Sequence, residues 1–249
     1  MGKAKVYIGT SGYSYDHWAE GVFYPSDLPK NKWLEHYVKS FKTVELNVTF
    51  YRLPAKAVFS GWYKRSPASF TFAVKGSRFI THIKKLKDCQ GPLDLFFSRA
   101  GALRNKLSVV LWQLPPKFGS SPTRLSDFVK RLKRPKGLRH VFEFRDESWF
   151  SDEIFKILEK ANIAICAADW PEFAKDPPLT ADFAYIRRHG PGESLYAGCY
   201  SNDALKKDAA RIKKMMKGGI DVYIYFNNDA HGWAVKNAQT LQKFIKGNI

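Results

Sequence analysis

The 249-residue sequence predicts a single (β/α)8 barrel, and two observations lead there. Eight short β-branched or aromatic runs alternate with amphipathic stretches, and about 250 residues is the usual length of such a barrel. Seven of the eight runs also end in a polar or ionisable residue of one phase, which is how a barrel lines the site at the C-terminal ends of its strands.

The first run is Lys5 to Gly9. The segment after it, Gly9-Thr10-Ser11-Gly12, carries neither G-x-G-x-x-G nor a Walker lysine, which argues against a doubly wound nucleotide fold. A helical stripe follows at Trp33, Leu34, Tyr37, Val38 and Phe41, then the run Thr43 to Asn47. The weakest helix, Ala57 to Lys64, leads to the run Phe70 to Lys75. Leu93, Phe96, Phe97, Ala100 and Leu103 then precede Leu107 to Gln113, and Leu125, Phe128, Val129 and Leu132 precede His140 to Arg145. Ile154, Ile157, Leu158 and Ala161 lead to Ile163 to Asp169, which is followed by Phe183 to His189. The stripe Leu205, Ala209, Ile212 and Met216 leads to Asp221 to Asn227, and Val235, Ala238, Leu241 and Ile245 close the series. Ser121 before Pro122 and Ser151 before Asp152-Glu153 are good helix starts, and Gly218-Gly219 is a good stop. With no linker and no repeat beyond the alternation, residues 1–249 read as one domain.

Composition sets outer limits. At 45% hydrophobic and 26% charged the chain is globular, neither disordered nor fibrous. Its longest apolar run, Val109 to Trp112 with its neighbours, is far short of the about 20 residues a membrane-spanning helix needs. Met1 to Lys5 is basic but passes straight into a strand-like segment, and Val6 stands where a myristoylation signal wants Ser or Thr. The expectation is a soluble, cytoplasmic protein. Cys89, Cys166 and Cys199 are too few and too scattered for a disulfide framework or a thiolate metal site. A net charge of +18 nominates polyanions as partners. Much of the excess, however, sits in two stretches assigned to the outer wall. Lys117 to Arg139 holds eight cations and one acid, and Lys206 to Lys217 holds six and one.

Strand phase sorts the residues further, because alternate side chains of a barrel strand face inward. It turns Glu45 and Asn47 in, then Thr71, Ala73 and Lys75, then Val109, Leu111 and Gln113, then Glu143 and Arg145. Asp169 follows on the phase of Ile165 and Ala167. Tyr185, Arg187 and His189 share a face, as do Tyr223, Tyr225, Asn227 and Asp229. Burying so many polar groups costs several kcal/mol unless they are paired, so a purely structural interior would favour Val, Ile and Leu. The structural alternative is a satisfied salt-bridge network, with Glu143 on Arg145 or Lys75.

These residues also carry a resemblance. Ile8-Gly9-Thr10-Ser11-Gly12-Tyr13-Ser14-Tyr15 with Trp18, Phe23-Tyr24-Pro25, and Val44-Glu45-Leu46-Asn47-Val48-Thr49-Phe50-Tyr51 resemble the YecE-like family, also called domain of unknown function 72. So do Phe72-Ala73-Val74-Lys75 with Arg78 and Thr81-His82, Gln113-Leu114-Pro115-Pro116, Glu143-Phe144-Arg145 with Ser148-Trp149-Phe150, His189-Gly190, and Tyr225-Phe226-Asn227-Asn228-Asp229 with Gly232. The resemblance implies a TIM-like barrel with these polar residues at one mouth, and it supplies no reaction. Similar sequences commonly place a Trp in the helix after Tyr200, where this chain has Lys206-Lys207-Asp208.

Three chemistries fit the inventory. The first is hydrolysis of a phosphate-containing substrate, nucleic acid included. Here Lys75, Arg78, Arg145 and Arg187 hold the anion, Glu143 is general base and His189 or His82 general acid. Asn47, Gln113, Asn227 and Asp229 orient the substrate, while Tyr13, Tyr51, Trp149 and Tyr225 offer aromatic faces. No cofactor is required, although the ligand types allow a divalent metal. The second is glycoside hydrolysis by Glu45 and Glu143, against which the neighbouring guanidiniums count by depressing carboxyl pKa values. The third is a non-catalytic module for nucleic acid or another anion. Lys75, Arg78, Lys84, Lys85 and Lys87 border the mouth and are placed to steer an anionic substrate.

Overall fold

A computed structural model describes residues 4–170, 173–174, 176–192 and 196–247. The strands are β1 Val6–Thr10, β2 Thr43–Leu46, β3 Thr71–Lys75, β4 Leu107–Gln113, β5 Arg139–Glu143, β6 Ala164–Trp170, β7 Phe173–Ala174, β8 Phe183–Arg188 and β9 Asp221–Phe226. Their order across the sheet is β1-β9-β8-β6-β5-β4-β3-β2, with the short β7 antiparallel on β6. β1 runs parallel to β9, β3 to β4, β4 to β5, β5 to β6 and β8 to β9. This is the (β/α)8 TIM-like barrel; eight of the strands lie within two residues of their predicted runs, and the short β7 corresponds to none. The helices are α1 Trp33–Ser40, α2 Val48–Tyr51, α3 Lys56–Lys64, α4 Gln90–Ala100, α5 Pro122–Arg131, α6 Asp152–Lys160, α7 Asn202–Lys217 and α8 Trp233–Lys246. Among the described residues no helix joins β6 to β8.

Local chemistry explains most boundaries. Ser121 accepts from the Arg124 N–H, with Pro122 at the first helical position of α5, and Ser201 caps α7 through the Ala204 N–H. Ser151 precedes α6 as expected, but its side chain makes no capping hydrogen bond. Gly218 and Gly219 end α7, with Gly219 at φ 82°. One departure matters for the site: β2 ends at Leu46, and Asn47 turns to φ −93°, ψ −21° to start α2, so strand phase does not govern its side chain.

The chain forms two compact units, Met1–Glu45 with Ala167–Lys175 and Asp182–Ile249, and Leu46–Cys166 with Asp176–Ala181. In the first, Tyr7 of β1 stacks on Tyr223 of β9 at 4.5 Å. β1 and β2 approach so closely that a Cβ on Gly9 would lie 2.4 Å from the Thr43 carbonyl oxygen. Trp18, Tyr24, Trp33, Tyr37 and Phe41 build an aromatic core under α1. In the second, Trp112 on the outward phase of β4 packs against Phe96 of α4 and Phe128 of α5. Its indole N–H donates to Nδ1 of the buried His140, whose Nε2 meets the Lys133 carbonyl.

Candidate functional site

In the first unit the inward phases of β1, β2, β8 and β9 meet around Glu45. Its carboxylate, fully buried, accepts from Ser11 Oγ (2.6 Å), Tyr185 OH (2.6 Å) and Arg187 Nη2 (2.8 Å), and Arg187 Nε reaches both oxygens. Burial alone would raise the Glu45 pKa, but the Arg187 charge and these donors outweigh it and hold the carboxyl below its ordinary range. Beyond Arg187, its Nη1 lies 3.4 Å from Nε2 of the buried His189. A guanidinium only donates, so Nε2 is the acceptor in that contact, and Nδ1 sits 3.0 Å from the Asn227 side-chain amide. Asp169 at the end of β6 accepts from the His189 N–H (2.6 Å) and from Tyr200 OH, and Tyr200 OH also accepts from the Gly190 N–H.

The same unit places Asp229 beside His17. The Asp229 carbonyl lies 2.7 Å from His17 Nε2 and accepts from Trp18 Nε1, while its carboxylate is 3.7 Å from His17. Burial raises the Asp229 pKa, partly offset by its own backbone N–H and by His17. Burial, then Asp229 and Glu45, raise that of Tyr15, whose hydroxyl donates to the Ser11 carbonyl.

The second unit gathers the other predicted set at the ends of β3, β4 and β5. Glu143 accepts from Gln113 Nε2 (3.0 Å) and from Arg145 Nε (2.7 Å) and Nη2. Lys75, nearly buried, sits with Nζ 4.0 Å above the Phe50 ring, and its carbonyl accepts from Thr49 Oγ1. Phe50 makes an edge contact with His82 at 4.9 Å. His82 lies on the helical turn Phe79–Ile83 after β3, with Nδ1 2.9 Å from Thr81 Oγ1. Burial, then the charges of Lys75, Arg78 and Arg145, push its pKa down to about 4. Arg78 is exposed and Asn47 is half-buried, with an Oδ1 that is buried and meets no donor.

Comparison with known proteins decides the family. A family model described as "Protein of unknown function DUF72" matches residues 7–248. The chain belongs to the DUF72 family. Its sequence is similar to the UPF0759 protein YunF of Bacillus subtilis, 24% identical over 96% of this chain and 94% of that one. Its fold is similar to the crystal structure of a DUF72 protein from Thermotoga maritima (29% identity, TM-score 0.85, 97% of this chain and 99% of that one). A DUF72 protein from Enterococcus faecalis shares the fold at 19% identity (TM-score 0.80, 97% and 95%).

Several expectations for the DUF72 residues need correction. Trp149 is a core residue: it is fully buried, stacks on Phe144 at 4.9 Å and donates its indole N–H to the Phe118 carbonyl, so it offers no face to a ligand. Tyr225 is buried as deeply, with its hydroxyl 2.7 Å from Thr43 Oγ1. Burial, then the charges of Lys75, Arg78 and Arg145, disfavour the protonated form of His82, which counts against it as the general acid. Tyr13 is half-buried beside Tyr37, whereas Tyr51 is 78% exposed. Sequence reading missed Ser11 and Tyr200 as partners of the acids. Ser11 lies just past β1 and meets Glu45 across an isolated parallel bridge, 34 residues away in the chain, and nothing local announces Tyr200 against Asp169, 31 residues away. Among the described residues no group of three or more His, Cys, Asp or Glu side chains gathers as metal ligands, and no helix is long and apolar enough to cross a membrane.

Proposed function

We propose that this DUF72 protein is a hydrolase-like enzyme for a phosphate-containing substrate, which it binds in the second unit through Lys75, Arg78 and Arg145. One observation carries this reading: His82 and Lys75 share the Phe50 ring just past the end of β3, the ring lying 4.9 Å from the imidazole and 4.0 Å from Nζ, in a neighbourhood that Arg78 and Arg145 also charge. Both arginines carry guanidiniums, whose planar forks match phosphate oxygens, and the lysine adds a point charge. An anion seated there is attracted before it reacts, and charge growing on its oxygens in the transition state is stabilised in place. His82 takes the proton from an attacking water as the water oxygen bonds to phosphorus; the phosphorus–ester oxygen bond breaks, and the leaving oxygen takes that proton back from His82. Gln113 and Glu143 are positioning residues: Glu143 carries two Arg145 donors and one from Gln113, so it fixes the guanidinium in place of serving as the base.

The test is a screen of wild type, His82→Asn and Arg78→Ala. Substrates are p-nitrophenyl phosphate, bis(p-nitrophenyl) phosphate, single-stranded and duplex DNA, RNA and aryl glycosides, with and without divalent metal. Phosphoester turnover is expected, with kcat about 100-fold lower in His82→Asn and KM raised in Arg78→Ala. Turnover of glycosides alone would overturn the proposal in favour of glycoside hydrolysis. Nucleic-acid binding with a steep salt slope and no turnover would overturn it in favour of a binding module.

A further inference from the structure

The segments that border this anion site are unusually apolar on their outer side. Of the nine exposed large apolar side chains among the described residues, four fall here: Val48 and Tyr51 on α2, and Phe79 and Ile83 on the turn after β3. The two segments meet through Phe50, whose ring lies 5.1 Å from Tyr51, 4.9 Å from His82 and 4.0 Å from Lys75 Nζ. Tyr51 is thus one ring removed from the cationic pocket, and it is the most exposed of the nine, at 78%. Isolated exposed apolar residues need no explanation, but an apolar rim with two aromatic rings beside the cations Lys75, Arg78 and Arg145 matches a ligand with a flat apolar group joined to a phosphate.

We infer that the anion site takes a nucleotide phosphate, with the nucleobase stacked on Tyr51. The inference rests on the phosphate reading of Lys75, Arg78 and Arg145 and adds the substrate class. A free nucleotide and the end of a single-stranded nucleic acid share this chemistry, so the experiment carries both.

Binding of ribose 5-phosphate, AMP and an eight-residue oligodeoxyadenylate to the whole chain is measured by calorimetry, for wild type, Tyr51→Ala, Tyr51→Trp and Arg78→Ala. AMP or the oligonucleotide should bind wild type about tenfold more tightly than ribose 5-phosphate, within the range of base–aromatic stacking. Tyr51→Ala should erase that preference and leave ribose 5-phosphate affinity unchanged, while Tyr51→Trp should keep it. A preference confined to AMP assigns the free nucleotide, and one confined to the oligonucleotide assigns the nucleic acid; both uphold the inference. Equal affinity of all three ligands for wild type, or a preference that survives Tyr51→Ala, overturns it. Ribose 5-phosphate binding that is absent, or indifferent to Arg78→Ala, overturns instead the anion site itself.

Discussion

Replacing Glu45 with Leu removes the acceptor on which four buried donors converge: Ser11 Oγ, Tyr185 OH, and Nε and Nη2 of Arg187. Leu has nearly the same size, so the change isolates the polar loss. A buried donor stripped of its acceptor costs about 1–3 kcal/mol, and breaking one side of a buried ion pair costs about 3–5 kcal/mol. A loss of about 4 kcal/mol follows, equivalent to about 10 °C in Tm for a chain of this size. Glu45→Gln keeps one acceptor oxygen but loses the charge opposite the buried Arg187, so it should cost about 3 kcal/mol, the low end for a broken buried ion pair. The assay is urea unfolding followed by far-UV circular dichroism and tryptophan fluorescence. A Glu45→Leu protein within about 1 kcal/mol of wild type would refute the network as a source of stability. A Glu45→Gln variant as unstable as Glu45→Leu would show that charge, not the number of acceptors, decides. The pH sign is fixed too. A carboxyl held below its ordinary range stabilises above the unfolded pKa and stops doing so as pH falls through the folded one, so this acid-side loss should disappear in Glu45→Leu.

Two further predictions concern stability. Burial, opposed in part by the Lys133 carbonyl, pushes the His140 pKa down to about 4, so the unfolded chain binds a proton below pH 6.5 that the folded chain refuses. Stability should therefore fall by about 2 kcal/mol between pH 7 and pH 5 on this account, and His140→Asn should lose that part of the urea-midpoint difference; an unchanged difference would refute it. Gly9→Ala places its Cβ 2.4 Å from the Thr43 carbonyl oxygen, a backbone atom that cannot swing away, and should cost about 1–3 kcal/mol or more. Gly61→Ala in α3 meets nothing within 4 Å and should stabilise by up to about 1 kcal/mol. Thermal melts of both variants check the contrast, and a neutral Gly9→Ala would dismiss the close β1–β2 approach.

The barrel was legible because its signals are local. A period of two separates the inward Glu45, Tyr185, Arg187 and Gln113 from the outward Val44, Ile186 and Trp112 without any tertiary information, and the helical stripes place α1 and α3 to α8 in the same way. Where the backbone leaves the strand the rule stops, as at Asn47, because a residue in helical conformation no longer alternates.

Phase also gives a side and not a depth. Tyr225 and Tyr185 do face inward, but only packing shows that both rings are buried with their hydroxyls taken by Thr43 and Glu45. Partners lie beyond sequence reading for the same reason: Ser11 and Glu45 are 34 residues apart, and Arg187 is 142 from Glu45. Their meeting depends on register between strands distant in the chain. The lowered pKa of His82 is likewise a sum of burial and of charges from Lys75, Arg78 and Arg145, a field completed only when Arg145, distant in the chain, is brought near. The amino-acid sequence alone determined the strands, the helices and which residues turn toward the barrel interior, since covalent periodicity suffices for those. Which of the inward groups meet, and how far each is stripped of water, was decided by the tertiary structure, because Coulomb energy and desolvation depend on distances that only folding sets.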